Sequence, residues 1–409
     1  MQHVFICGAK GISNYGGYET FVQKLIECHE NESYIQYHVA CKANGEGCMD
    51  FENLNGIEDE VRDEKGELKS FMYKGAHCMT VKCPNIGPAQ AIYYDRAALK
   101  MCIDYCEEND IESPIFYMLT CRIGPFISGL VKKIHEIGGA FFLNPDGHEW
   151  KRAKWAKPVR KYWKESEKLM VKHADLVVCD SVNIEKYIEQ QYSKYNPKTT
   201  YIAYGSDLTP SKLADDDFKF VDWLSQHELT PGGYYLMVGR FVPENNFETV
   251  VREFMKSGTK RDLAMITTAN DKLLKYLEDT YHISEDSRIK FVGTVYDAEL
   301  LKKIREQAYG YIHGHSVGGT NPSLLEALGS TKLNMLYSVG FNREVAEDAA
   351  VYWSKKEGNL STLIDKADKA GKLKINTLGG RAKQRIKDAY SWEFIASRYK
   401  EIFERGEES

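Results

Sequence analysis

The sequence predicts an α/β fold, with doubly wound, mostly parallel sheets in two domains. Short apolar, strand-like runs alternate with longer helical stretches from one end to the other. The alternation breaks once, at the polar stretch SDLTPSKLADDDFKF (206–220) and the TPGG punctuation at 230–233, and then restarts. The length, 409 residues, also exceeds what one hydrophobic core usually organises.

In the first half the strand candidates are HVFICGA (3–9), YIQYHVACK (34–42), CMTVKC (78–83), PIFYML (114–119), GAFFLN (139–144), LVVCD (176–180) and TTYIAYG (199–205). Helical patterns at 17–28, 88–106, 124–136 and 158–172 separate many of them. After the break come YYLMVGR (234–240), LAMITT (263–268), RIKFVGT (288–294), AYGYIHG (308–314), KLNMLYS (332–338) and AAVYW (349–353). The expected domains are therefore 1–205 and 206–390, and the last helix, 391–406, is expected to pack back on the first. In open α/β sheets ligands bind beyond the carboxyl ends of the strands. Two such domains facing each other would form the site in the cleft between them.

The composition excludes little. Apolar residues make up 43 % and charged residues 28 %, ordinary for a globular protein. A net charge of −5 gives no support to nucleic-acid binding. No apolar run reaches the ~18 residues of a spanning helix. HVFICGA reads as a first strand rather than a signal peptide, and a cytoplasmic location is expected. Ten cysteines occur without a C-x-x-C pair. Several, such as Cys7 and Cys179, sit inside strand-like runs as small hydrophobes, and no metal site is expected.

Three loops carry chemistry. The first, GAKGISNYGGYETF (8–21), joins strand one to a helix. Its glycines permit close backbone approach and the helix start favours an anion, but the spacing is not the dinucleotide fingerprint. An ordinary tight connection is the other reading. The second, VGRFVPENNFET (238–249), carries Arg240 at the end of a buried strand. An anionic ligand would balance that charge, and so would an ion pair with Glu244. The third, HGHSVGGTNPSLLEAL (313–328), offers a row of amide donors from Ser316 to Ser323, leading into a helix that starts near Pro322 or Ser323. Glu326 lies about one turn in, where its carboxylate can turn back to accept from sugar hydroxyls, unless it is simply solvated or capping.

Asp146 and Asp180 follow strands of the first half, so the strand-end rule points both toward the ligand. Asp146 clusters with His148 and Glu149, and Lys151 and Arg152 follow. Tyr204 ends the last strand of that half. Helix caps and loop ion pairs are the competing readings, above all for Asp180 before Ser181. Segment 151–172 holds nine Lys or Arg against Glu165 and Glu167, with Trp155, Tyr162 and Trp163 interleaved. Such a pattern suits an anionic membrane surface, RNA or a solvated helix face.

These elements, in this order and spacing, resemble the family 4 retaining glycosyltransferases of GT-B architecture. The resemblance runs through GGYETFV, ADLVVCDS, IAYGSD, VGRFVPENN, IKFVGTVYD, GGTNPSLLEAL and YSWEFIASRY. NPDGHEWKRAKW (144–155) and HSVGGTNPSLLEAL look like the bacterial β-1,4-L-rhamnosyltransferases of capsule and rhamnose-rich wall polysaccharides.

The resemblance implies two Rossmann-like domains facing across a cleft, with acceptor binding in 1–205 and nucleotide-sugar binding in 206–390. Arg240 would hold the donor diphosphate, and the amides of Gly318, Gly319, Thr320 and Asn321 the phosphate or donor sugar. Glu326 would take the nucleotide's sugar hydroxyls, and Gly16 and Gly17 would line the cleft. Asp146 is expected at the acceptor hydroxyl or donor sugar. Asp180 joins it as a catalytic candidate, and Lys10, His148, Glu149, Lys151, Arg152 and Tyr204 are acceptor-side candidates.

Two departures stand out. Asn245 replaces the family's Lys, a charge Lys10 would have to supply, and the first of the paired glutamates is Gly318 or, with an insertion, Ser316. The implied reaction is metal-free, cofactor-free transfer of L-rhamnose from dTDP-β-L-rhamnose, with retention. The acceptor would be GlcNAc or Glc on a polyprenyl-pyrophosphate lipid, reached at the inner face of the plasma membrane through segment 151–172. The alternatives are a UDP-sugar transferase, a sugar-nucleotide 2-epimerase and a nucleotide-sugar sensor without catalysis.

Overall fold

The computed structural model describes residues 1–12, 17–49, 51, 54–145, 147–151, 155–268 and 270–404. The chain forms two compact units, Met1–Tyr204 with Trp392–Ser409, and Gly205–Ser391.

The first unit runs β1 (Gln2–Cys7), α1 (Gly17–Cys28), β2 (Ile35–Lys42), β3 (Ile57–Arg62), β4 (Leu68–Tyr73), β5 (Ala76–Val81), α2 (Gln90–Glu108), β6 (Ile115–Met118), α3 (Gly124–Glu136), β7 (Ala140–Leu143), α4 (Lys157–His173), β8 (Leu176–Cys179), α5 (Val182–Gln191) and β9 (Thr199–Tyr201). Its sheet has the order β3-β4-β5-β2-β1-β6-β7-β8-β9. From β5 to β9 neighbouring strands are parallel. Helices cover the parallel strands, which explains their nearly continuous apolar runs. On α2 the buried residues Tyr94, Ala98, Leu99, Cys102, Ile103 and Cys106 fall at helical spacing on one face. Cys7, Cys102, Cys106 and Cys179 lie in this core, and none of the ten cysteines forms a disulfide.

The antiparallel hairpin β3–β4 at the sheet edge was not among the strand candidates. Its strand IEDEVR is almost wholly exposed and charged, which blunts the edge but erases the apolar signature of a strand. The turn is built by Asp63 Oδ1, which accepts from the amides of Lys65 and Glu67, and by Gly66 at φ +78°. Three histidines cross the neighbouring strands β1, β2 and β5. His3 Nδ1 meets His38 Nε2 at 2.9 Å, and His38 Nδ1 meets His77 Nδ1 at 3.3 Å. The His38 ring is buried and stacks on Phe5 at 4.2 Å.

The second unit runs α6 (Phe218–Gln226), β10 (Tyr234–Val238), α7 (Phe247–Lys256), β11 (Asp262–Ile266), α8 (Asp271–Tyr281), β12 (Ile289–Phe291), α9 (Ala298–Glu306), β13 (Gly310–His313), α10 (Pro322–Ser330), β14 (Asn334–Tyr337), α11 (Gly340–Ala346), β15 (Val351–Trp353), α12 (Asn359–Asp368) and α13 (Lys372–Ala389). Its parallel sheet has the order β12-β11-β10-β13-β14-β15. The last helix, α14 (Trp392–Glu404), belongs to the first unit, where Tyr399 and Phe403 pack on Tyr117 and the Tyr399 and Tyr117 hydroxyls meet at 2.9 Å.

Each sheet winds outward in both directions from a central pair, β1/β6 in the first unit and β10/β13 in the second. These pairs are topological switch points, where the crevice beyond the strand ends opens. Among the described residues no helix is long and apolar enough to cross a membrane.

Candidate functional site

At the second unit's switch point the loops after β10 and β13 are tied together. Ser316 donates to the Glu244 carbonyl through both its amide (3.0 Å) and its Oγ (2.7 Å). Asn246 Nδ2 donates to the Gly314 carbonyl at 2.6 Å. Asn245 accepts from His315 Nδ1 on Oδ1 and donates to the Arg240 carbonyl through Nδ2, each at 2.8 Å. Only glycine fits at 314, because a Cβ there would stand 2.1 Å from the Asn245 carbonyl oxygen.

Arg240 lies two residues past the end of β10 and is exposed, not buried as the strand pattern suggested. The strand stops at Val238 and Gly239 turns the chain outward. Among the described residues no carboxylate pairs with its guanidinium, Glu244 included. It is therefore a solvent-facing cation at the strand end, able to meet a phosphate.

Ser316 is already committed to the main chain of the neighbouring loop, so its hydroxyl proton serves loop structure. Gly318 sits at φ +124°, in the left-handed range that favours glycine, and a Cβ there would stand 3.2 Å from His315 Nε2. The glutamate that the resemblance implies for this position would be strained. Gly319 and Thr320 are buried. Asn321 is the N-cap of α10, its Oδ1 accepting from the Leu324 amide at 3.3 Å, with Pro322 at the first helical position. The helix that follows thus presents its free amide end beside Arg240's strand.

Glu326 projects from α10 with its side chain 41 % exposed, and its Oε2 forms a 2.6 Å ion pair with Arg305 of α9, whose side chain is 4 % exposed. The Arg305 Nη2 also reaches Ser323 Oγ at 3.3 Å, and Ser323 Oγ meets the Tyr311 hydroxyl at 3.0 Å. Neither the solvated nor the capping alternative describes this carboxylate. His313, which ends β13, is fully enclosed. Burial holds its imidazole well below the usual range and therefore neutral, with His315 adding to the effect. Its Nε2 has no partner among the described residues.

In the first unit Gly16, Asp146 and Arg152 lie outside the described residues. Gly17 opens α1 with open space around it. The Lys10 amide donates to Glu19 Oε1 at 2.9 Å, and its ammonium folds over Gly47 of its own unit. Asp180 is buried, 5 % exposed, just past β8. The cap of α5 is Ser181, whose Oγ accepts from the Ile184 amide at 3.1 Å, so the capping alternative for Asp180 falls away. Tyr204 is buried, its ring 5.6 Å from that of Phe21.

His148 adopts φ +55° and packs its ring 4.1 Å from Tyr187. Burial, with Lys151 and Lys164 nearby, pushes its imidazole down to about 4. Glu149 Oε1 accepts from Trp155 Nε1 at 2.8 Å, and the Lys151 ammonium lies over the Trp150 ring at 5.2 Å. The aromatics of 151–172 are thereby engaged inside the unit. Trp163 is buried against Trp155 and Tyr162, and the Tyr162 hydroxyl donates to the Arg122 carbonyl. The segment offers the solvent lysines such as Lys157 and Lys161, not the indoles that a membrane interface would take.

Arg122 was missed. It follows β6 at the first unit's switch point and pairs at 3.3 Å with Asp95, which is wholly buried on α2. Burial pushes the Asp95 carboxyl up, against the pull of Arg122 and of the Thr120 hydroxyl, which donates to it at 2.7 Å. An arginine three residues beyond PIFYML and directly before IGPF was the signal, by the strand-end rule that singled out Asp146 and Asp180. Among the described residues no three His, Cys, Asp or Glu side chains are grouped to hold a metal ion.

Solved structures with this fold span nearly the whole chain. Sucrose-phosphate synthase from Thermosynechococcus elongatus is 15 % identical, with 99 % of each chain covered and a TM-score of 0.74. HepE of Anabaena, in complex with UDP, is 13 % identical over 99 % of this chain and 100 % of that one, with a TM-score of 0.67. A glycosyltransferase from Rickettsia africae is 13 % identical over 99 % and 98 %, with a TM-score of 0.68. At such identities the likeness is one of fold, and the fold is that of the GT-B glycosyltransferases. Among curated proteins none matches the sequence. The family described as "Domain of unknown function (DUF1972)" matches residues 1–207, half of the chain, and this protein belongs to it.

Proposed function

We propose that the protein is a retaining glycosyltransferase that moves L-rhamnose from dTDP-β-L-rhamnose to a GlcNAc or Glc residue on a polyprenyl-pyrophosphate lipid. The observation that carries the transferase reading is the grouping at the β10/β13 switch point. An exposed arginine with no carboxylate partner among the described residues follows β10, and a glycine-rich run of amides leading into a helix, with a carboxylate one turn in, follows β13. The first two suit a diphosphate and the third a sugar hydroxyl. Charge develops on the diphosphate as the glycosidic bond breaks, and preorganised donors at that point lower the barrier. Arg240 and the amides of 318–321 supply such donors without a metal ion, and a leaving phosphate oxygen can take the acceptor proton. Rhamnose and the lipid acceptor rest on the sequence resemblance. The exposed lysines of α4 favour a peripheral place at the inner membrane face.

A UDP-sugar transferase is the second reading, favoured by HepE structures that hold UDP and UDP-glucose. Incubation with dTDP-rhamnose, UDP-glucose or UDP-GlcNAc and a lipid-pyrophosphate-linked GlcNAc or Glc decides between them. Transfer from dTDP-rhamnose supports the first, transfer only from a UDP-sugar the second. Turnover of neither, with any such acceptor, defeats the transferase reading.

A further inference from the structure

We infer that Arg305 is a positioning residue that reserves one oxygen of Glu326 and leaves the other for a single hydroxyl of the donor nucleotide. This rests on the nucleotide-sugar reading above.

Glu326 lies between buried Leu325 and buried Ala327 on α10, yet its own side chain reaches solvent. Arg305 meets it from the buried side. Its guanidinium is enclosed, and Glu326 is its only carboxylate partner among the described residues. Ser323 and Tyr311 fix it from below, and the Arg305 carbonyl is itself anchored by Thr331 Oγ1 at 2.8 Å. A buried guanidinium deprived of its carboxylate is strongly penalised, so the pair holds Glu326 Oε2 in place. Oε1 has no partner among the described residues.

A carboxylate that grips a vicinal diol uses both oxygens. Here Oε2 already accepts from the enclosed Arg305, so only Oε1 is wholly available and a second hydroxyl has the weaker place. The site therefore gains little from the 2′-hydroxyl of ribose and accepts a 2′-deoxyribose nucleoside diphosphate equally well.

The test uses the purified full chain and calorimetric titration with UDP, dUDP and dTDP. UDP against dUDP isolates the 2′-hydroxyl, and dUDP against dTDP isolates the methyl group. UDP and dUDP are expected to bind within about threefold of each other, and Glu326→Gln to weaken both by about tenfold, the loss of one charge-assisted hydrogen bond. Arg305→Met releases Oε2 and is expected to create a preference of about tenfold for UDP over dUDP, a change that a merely structural arginine would not cause. Arg305→Lys should restore the wild-type ratio. If Arg305→Met fails to fold, the wild-type ratio still decides. A wild-type preference for UDP above about tenfold overturns the inference, as does Glu326→Gln binding both nucleotides like wild type. In either case nucleotide binding survives, whereas no binding of any of the three nucleotides defeats the nucleotide-sugar reading along with it.

Discussion

Replacing His38 by Phe should flatten the acid sensitivity of the first unit. Burial, with His77 and His3 beside it, pushes the His38 imidazole from 6.5 down to about 3. The unfolded chain protonates this group below pH 6.5 while the folded chain does not. Its contribution to stability is therefore intact above pH 6.5 and is lost progressively as pH falls toward 3. At pH 5 the gap from 6.5 is 1.5 units, and at 1.36 kcal/mol per unit the loss is ~2 kcal/mol. His3 and His77 are also held low by burial and add smaller losses of the same sign. For a unit of this size ~2 kcal/mol corresponds to about 4–8 °C in Tm. Phe preserves the stack on Phe5 but cannot titrate. The variant should be less stable at pH 7.5, having lost two hydrogen bonds, yet its Tm should fall by about 4–8 °C less than wild type between pH 7.5 and pH 5. Scanning calorimetry of both proteins at the two pH values measures that difference directly. Equal falls would refute the assignment of a neutral, acid-sensitive His38.

Arg240→Ala should cut sugar transfer by about a hundredfold or more while shifting stability by less than about 0.5 kcal/mol, since the side chain is exposed and unpaired among the described residues. Initial rates paired with a thermal melt check both halves. Gly318→Glu should lose about 1–2 kcal/mol in denaturant unfolding, because φ +124° strains any side chain. Gly314→Ala should cost about 1–3 kcal/mol or more in the same assay, since the added Cβ meets a main-chain oxygen at 2.1 Å and one loop must move.

The sheets were legible because helices cover them, so their strands are short apolar blocks that need no long-range information to recognise. The β3–β4 hairpin was not. Its charges protect an edge, and they hide a strand for the same reason. Arg240 stood out as a charge at a strand end and the 316–321 loop as a glycine-rich run before a helix, and the strand-end rule would have added Arg122. The Arg305–Glu326 pair lay out of reach, since β13 intervenes in sequence and only the winding of the second unit brings α9 beside α10. Segment 151–172 was only half legible for a related reason. Interleaved tryptophans and lysines look alike whether the indoles face lipid or, as with Trp163, the unit's own interior.

The loops after β10 and β13 are joined chiefly through main-chain carbonyls, those of Glu244 and Gly314. A carbonyl is supplied by any residue, so these joints demand a particular side chain only on the donor side, at Ser316 and Asn246, and the lack of one at Gly314. For directed evolution of donor choice, a library that varies those three positions would mostly return chains whose loop has come undone.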